Sequence, residues 1–584
     1  MKSAARVKGA GKGAAKQRDA TLTAASATKA AAAAETGKRR QAVIIVHGMG
    51  EQKPLETLRG FVEAVWGARP TPQPKPGHDD VWLVPDSRSG LTELARITTR
   101  RSNGVRTDFF ELYWSDLLVG NTLAQIRAWV VGLLLRWPHQ VPRESFLLWI
   151  ALWAIVAVVV ALAAFVGLSN ATESLWKVLR EAEPLRNRWT AAASAVLTAL
   201  LYLLLWCRLG GNLRNWQKPD EVFLGIWSTV TPRDASMNVA VSRAFALLIP
   251  PAVGALAYLW FPWAVLWVVK TWLLIVATAI AYMLAAWVVP VFGDVARYVR
   301  TSPDAVSARA AIRDRGVKLL RALHGPMKEP TVKGYDPGDE SPYERIVVVG
   351  HSLGSIIAYD MLRLFWEERG PTRNNPASTP ALKALRALDG YCRNASPAPG
   401  RFDIGKFRKL QGEVSAALAE ETNGWRVSDF VTLGSPLTHA EFLVSRDRSA
   451  FEERKAERMF PTCPPMMEPG KLPSFLYSNL TLAHHAAMFA AMRWTNIYDP
   501  GQLLFLGDFI SGPCAPNFGP GVLDVRMKMT GRGLLGRVVT HTHYWNQEAA
   551  GSAEDAEGTK LGIPDISKDP KAHLALLRKA MALR

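Results

Sequence analysis

RIVVVGHSLGSIIAYDMLRLF, residues 345–365, decides how this chain reads. Arg345-Ile346-Val347-Val348-Val349 is an apolar, mostly β-branched run, the pattern of a parallel strand buried on both faces. It leads directly into Gly350-His351-Ser352-Leu353-Gly354, and residues 355–365 continue as an apolar, helix-like segment. A G-x-S-x-G string alone is a weak signal, but between a strand and a helix it says more. The serine must occupy a tight turn with strained dihedrals, and glycines two residues before and after it leave room for strand and helix to pack. Ser352 is therefore a candidate nucleophile.

About 300 residues upstream, Ala42-Val43-Ile44-Ile45-Val46 predicts a second buried strand, ending in His47-Gly48-Met49-Gly50. Such a Gly-flanked turn can leave a backbone N–H pointing into a site. Downstream, 429–433 predicts a third strand and 492–498 a fourth, with a further strand over 522–529. Ser435 is followed by Pro436, where a helix and its free N–H should begin, so it reads as a turn residue.

A hydroxyl needs a base to attack at neutral pH, and in the strand-elbow-helix arrangement the chain order is Ser, acid, His. His541 and His543 are the last histidines before the C-terminal segment and supply the base candidates. The acid must follow the strand at 492–498, which leaves Asp499 at its end and Asp508 in the next loop; spacing alone does not choose between them. His484 and His485 precede that strand and read as structural.

VHGMGEQ at 46–52, FGDVARYV at 292–299, GHSLGSIIAYDML at 350–362, TLGSPL at 432–437, the segments within 494–513 and HTHYW at 541–545 together resemble an α/β-hydrolase of the lipase kind. The pattern is similar to intracellular DDHD-type phospholipases and to bacterial membrane-embedded lipase-like proteins. The resemblance implies an α/β-hydrolase fold with a mostly parallel sheet. It implies Ser352 as nucleophile, Asp508 as acid, His541 as base, and the N–H groups of Met49 and Leu353 as oxyanion donors. Residues 501–506 depart from the pattern by separating Asp499-Pro500 from Gly507-Asp508. That keeps Asp499 as the alternative acid, with His543 the alternative base.

Composition points to a membrane. Of 584 residues, 49% are hydrophobic and 21% charged, with 70 Lys and Arg against 51 Asp and Glu, a formal net charge of +19. A mean hydropathy of +0.03 at this charge content requires the apolar residues to be concentrated. Residues 146–168 are 23 without a charge and 189–207 are 19 more, each close to the roughly 20 needed to cross a bilayer. Residues 244–292 carry Lys270 as their only charge, and as one helix they would exceed twice the bilayer core, so they predict two crossings, turning near Pro262. Lys and Arg flanking the spans predict both termini in the cytoplasm.

The block lies between the strands carrying Met49 and Ser352, which must share one sheet for their N–H groups to converge. The chain must therefore return to the side it left, which requires an even number of crossings. About four transmembrane helices satisfy this.

Residues 1–40 hold ten basic and two acidic side chains among Ala, Gly, Ser and Thr, with no apolar core of a secretory signal. They read as a disordered basic tail suited to an anionic membrane surface, with no specific nucleic acid expected. Cys207, Cys392, Cys463 and Cys514 show no C-x-x-C spacing, which argues against a zinc cluster or disulfide framework and fits a reducing compartment.

The expected organisation is a tail at 1–40, a hydrolase part at 41–140, a transmembrane insertion at 141–295, a second hydrolase part at 296–548, and a C-terminal tail and helix at 549–584. The expected function is a membrane-anchored serine esterase of the inner or cell membrane, acting on acyl esters of membrane lipids, with no cofactor or metal. Two alternatives use the same sequence: a catalytically silent scaffold, and a thioesterase or amidase acting on lipidated substrates. Protein partners are not specified.

Overall fold

The computed structural model describes residues 40–49, 53–67, 81–85, 95–99, 105–117, 134–141, scattered positions between 146 and 157 and between 295 and 299, and most of 303–583. Short connections within that last stretch, 326–342, 396–401, 502–506 and 532–539 among them, are not described. The chain divides into two compact units. The first comprises Met1–Trp149, Pro290–Gly531 and Arg537–Arg584; the second, Ile150–Val289 with Arg532–Gly536, falls almost wholly outside the described residues. Residues 1–39 of the expected basic tail, and all of the four expected membrane spans except six positions of the first, therefore lie outside them too, whereas Arg40 belongs to the first strand of the sheet and not to the tail. Among the described residues no helix is long and apolar enough to cross a membrane.

The first unit is an α/β structure built on an eight-stranded, mostly parallel sheet. Its strands are β1 (Arg40–Val46), β2 (Val81–Pro85), β3 (Ala95–Thr99), β4 (Arg106–Leu112), β5 (Arg345–His351), β6 (Val427–Leu433), β7 (Arg493–Tyr498) and β8 (Leu523–Arg526), in the order β2-β3-β4-β1-β5-β6-β7-β8. From β4 to β8 every pairing is parallel; β2 and β3 join antiparallel at one edge. β1 and β5 are direct neighbours, with Val46 opposite Gly350, so the strands on either side of the long intervening segment do share one sheet.

Both faces are covered, which is why β1 and β5 carry the unbroken apolar runs 42–46 and 346–349. On one face Val43, Ile45, Val347, Val349 and Val431 pack against Leu58, Phe61 and Val62 of α1 (Glu56–Trp66) and against Leu576 and Leu577 of the C-terminal helix Ala572–Ala580. That helix is thus part of the core and not an appendage. The other face carries α2 (Pro303–His324) and α3 (Leu353–Arg369), the helix that leaves the Ser352 turn.

One strand differs from the sequence reading. The run expected over 522–529 breaks at Met527, whose N–H bonds to the Tyr498 carbonyl at 2.9 Å; the chain then leaves the sheet as β9 (Lys528–Thr530), paired antiparallel with β10 (Ala550–Ser552).

Candidate active site

Because β1 and β5 through β8 are parallel, their C-terminal ends lie along one edge, and the loops leaving that edge converge where ligands bind in open α/β sheets. Ser352 sits on the loop after β5 in the left-handed region, at φ 52° and ψ −129°. A non-glycine residue there is strained by about 1–3 kcal/mol and is held by its surroundings. Those surroundings are visible: the Ser352 N–H donates to the Leu433 carbonyl at 3.0 Å, and its own carbonyl accepts from Ser355 N and Oγ at 2.9 and 2.6 Å.

The flanking glycines are required by space. A Cβ on Gly354 would stand 2.2 Å from the Val46 carbonyl oxygen, and one on Gly350 2.6 Å from the Ser355 Cα. The first residues of α3 therefore lie directly on the end of β1. In the same way a Cβ on Gly48 would come 2.9 Å from the Ser352 Cβ. The turn that carries Met49 is thus in contact with the serine, and Leu353, with its backbone N–H at the head of α3, follows it in the chain.

His541 comes from a short 3-10 turn, Thr540–Thr542. Its Nδ1–H donates to Asp508 Oδ2 at 2.9 Å, and its carbonyl accepts from His351 Nε2 at 2.9 Å. It stands against Gly434, where a Cβ would meet its Cε1 at 3.2 Å and Asp508 Oδ2 at 3.0 Å; Gly434 takes a φ of +56°. The preceding residue, Leu433, is the one that receives the Ser352 N–H, so serine and imidazole are brought to the same end of β6. Ser352 Oγ and His541 Nε2 are both buried and neither has a hydrogen-bond partner. Unpaired buried polar atoms cost roughly 1–3 kcal/mol each and in native structures call for an explanation.

Asp508 is fully buried. Burial would raise its carboxyl, but His541 and hydrogen bonds from His541, Tyr544 and Ser511 outweigh it and hold the group below its ordinary value. Tyr544 O–H donates to Oδ2 at 2.8 Å, and the Ile510 N–H donates to Oδ1 at 3.0 Å. Although 501–506 intervene, Pro500 and Asp508 form a parallel bridge, so the inserted residues leave Asp508 beside the end of β7.

Asp499 is also buried but serves a different contact. Its Oδ2 accepts from Thr540 Oγ1 at 2.6 Å and from the Met529 N–H at 3.3 Å. Through these bonds it fixes the turn that carries His541. His543 is half-buried, with Nδ1 unpaired and no carboxylate partner among the described residues. The structure thus joins His541 to Asp508 and places Ser352 at the same end of β6, while Asp499 bonds Thr540 and Met529 instead.

Ser435 behaves as a turn residue. Its Oγ lies 2.6 Å from Ser355 Oγ and accepts from the Leu437 N–H at 3.2 Å, tying the loop after β6 to α3. His484 is structural: Nε2 meets the Met466 carbonyl at 2.9 Å and Nδ1 accepts from the Ala486 N–H at 3.1 Å. Sequence reasoning missed Tyr544, whose hydroxyl joins Asp508 to the Asp499 N–H at 3.1 Å and to Ser511 at 3.0 Å. Its place three residues after His541 was the only available signal.

Searches of family models, curated proteins and solved structures match nothing to this chain. The site's chemistry thus rests on its own geometry. A buried carboxylate fixing one imidazole nitrogen, with the other nitrogen and a strained serine hydroxyl unpaired at the same edge, is suited to proton abstraction from that hydroxyl. Among the described residues no group of three or more His, Cys, Asp or Glu side chains is placed to hold a metal ion.

Proposed function

We propose that this chain is a membrane-anchored serine hydrolase of the α/β-hydrolase kind that cleaves acyl esters, with membrane lipids as the substrate class. The observation that carries the proposal is the hydrogen bond from His541 Nδ1 to buried Asp508, which leaves Nε2 unpaired at the strand edge that bears Ser352. Asp508 selects the tautomer with the proton on Nδ1, so Nε2 is the basic nitrogen.

In this mechanism Nε2 accepts the Ser352 Oγ proton as Oγ bonds to the ester carbonyl carbon. The carbonyl π pair moves onto oxygen, and the N–H groups of Met49 and Leu353 stabilise that oxyanion. Collapse re-forms the carbonyl and breaks the bond to the leaving alkoxide, which takes the proton from His541 and departs as an alcohol. Water, deprotonated by the same Nε2, then attacks the acyl-serine, and collapse returns the proton to Oγ and releases the acid.

The lipid assignment rests on the uncharged stretches 146–168 and 189–207 and on 244–292, whose only charge is Lys270; they would anchor the chain in a bilayer, with the hydrolase part and both termini in the cytoplasm.

The test is fluorophosphonate labelling of membranes containing wild type or Ser352→Ala, followed by comparison of their lipid profiles. Labelling confined to wild type, with an acyl ester accumulating in the Ser352→Ala membranes, is expected. Equal labelling of both refutes the nucleophile, and an unlabelled, inert wild type points to a binding scaffold.

A further inference from the structure

The oxyanion role assigned to Met49 requires its N–H to face Ser352, and the preceding residue carries an arrangement suited to enforcing that. His47 follows β1 directly and is fully buried. Its ring stacks on Trp114 with centroids 4.8 Å apart, and Trp114 lies just beyond the end of β4. The Trp114 backbone N–H donates to His47 Nε2 at 3.3 Å, and its indole N–H donates to the His47 carbonyl at 3.1 Å. A nitrogen that accepts carries no proton, so the proton of the neutral ring is on Nδ1. Nδ1–H is then the donor in the 3.0 Å contact with the Gly48 carbonyl. Burial pushes the His47 imidazole down to about 4, although the Gly48 hydrogen bond and Asp116 act the other way, so this neutral tautomer persists at neutral pH.

The sheet order supplies the direction. β1 lies between β4 and β5, with Trp114 beyond β4 and Ser352 beyond β5. The His47 ring, stacked on Trp114 beyond β4, bonds the Gly48 carbonyl. In a planar trans peptide the carbonyl and the following N–H point in opposite directions, so the Met49 N–H is turned away from that ring. The Gly48 Cα meanwhile stands against the serine, where even a Cβ would not fit.

We propose that His47 is a positioning residue that locks the Gly48–Met49 peptide through Nδ1–H and so keeps the Met49 N–H aimed at the oxyanion beside Ser352. This rests on the serine-hydrolase reading above and adds to it a reason for the donor to be preformed. A preorganised donor is worth about 10²–10³ in kcat, whereas one free to rotate also offers its carbonyl to the developing negative charge.

The test uses full-length protein in detergent with p-nitrophenyl butanoate and its thionoester, comparing His47→Asn, His47→Gln and His47→Phe. Asparagine places an N–H near the position of Nδ1, while glutamine carries its donor one methylene further out and phenylalanine keeps only the stacking. Expected are a kcat for His47→Asn within about fivefold of wild type, losses of roughly 10–100-fold for Gln and Phe, and little change in KM. The preference for the oxoester over the thionoester should shrink in the two weak variants, because a misaimed donor no longer favours oxygen. A general loss of packing would not change that ratio selectively.

If His47→Phe fails to fold, the Asn and Gln pair decides the question. Equal kcat and an unchanged oxygen-to-sulfur ratio in Asn and Gln overturn the role of His47. A wild type that hydrolyses neither ester and resists fluorophosphonate refutes the underlying hydrolase reading instead.

Discussion

Asp508 Oδ2 and His541 Nδ1 lie 2.9 Å apart across 33 residues of sequence, and the same oxygen accepts the Tyr544 hydroxyl at 2.8 Å. Asp499, nine residues before Asp508, bonds Thr540 instead. The two carboxylates are therefore expected to separate experimentally. Asp508→Asn should lower kcat by roughly 10²–10⁴-fold with modest loss of stability, because an amide can hold the wrong tautomer of His541. Asp499→Asn should lower kcat by less than about tenfold and cost about 1–2 kcal/mol in unfolding free energy through Thr540 and Met529. Ester turnover and thermal unfolding of both variants check this, and the reverse ranking in kcat would make Asp499 the acid.

The Tyr544 hydroxyl bonds Asp508 directly. Removing it in Tyr544→Phe leaves the ring packing but takes a donor from a buried carboxylate and an acceptor from the Asp499 N–H. A 3–30-fold loss in kcat and about 1–2 kcal/mol of stability are expected. The decisive measurement is a double-mutant cycle. In an Asp508→Asn background the further kcat loss from Tyr544→Phe should nearly vanish, whereas full additivity would mean that the hydroxyl works elsewhere.

What was legible in the sequence follows from how each element is buried. β1 and β5 lie in the sheet interior with helices on both faces, so their cores read as apolar runs around Val43 and Val347; β6 and β7 interleave apolar Val431 and Ile497 with polar Thr432 and Asn496, which bond each other. β3 and β4 were not legible, because their buried positions include the polar side chains of Arg96, Thr98, Asp108 and Glu111, and β2 buries only Val81. Asp108 on β4 is the example: it accepts from Arg40 at 2.6 Å and from Tyr343, 235 residues away, at 2.5 Å.

The candidate site was partly legible. The Ser352 turn depends on local spacing, and a Cβ at either flanking glycine would strike backbone. That Asp508 rather than Asp499 bonds His541 depends on the bridge between Pro500 and Asp508, a tertiary pairing that no local pattern encodes.

Gly354→Ala tests the close contact between β1 and α3. The new methyl would have to stand 2.2 Å from the Val46 oxygen and 2.4 Å from the His47 oxygen, both main-chain atoms that cannot swing aside. Separation of strand and helix should cost several kcal/mol and displace both expected oxyanion donors. Loss of fluorophosphonate labelling with a markedly lowered unfolding midpoint is expected, and a labelled variant of wild-type stability would contradict the packing described here.

Glu111 carries the clearest pH signature. It is buried on β4, where Oε2 accepts from the Leu55 N–H at 2.7 Å and Oε1 is unpaired; Leu55, at φ 67°, closes the loop that begins at His47. Burial raises its carboxyl from 4.5 to about 7 against the opposing effect of the Leu55 hydrogen bond. A raised carboxyl in the folded state means that the native protein binds more protons than the unfolded chain between about pH 4.5 and 7. Stability from this group is then greatest below that window, falls as pH rises through it, and levels off above it. Glu111→Gln mimics the protonated acid and keeps an acceptor for Leu55. It should match wild type near pH 4.5 and exceed it by roughly 1–3 kcal/mol at pH 8. Denaturant unfolding of both proteins across this range is the measurement, and parallel stability profiles would show that Glu111 does not titrate in the window.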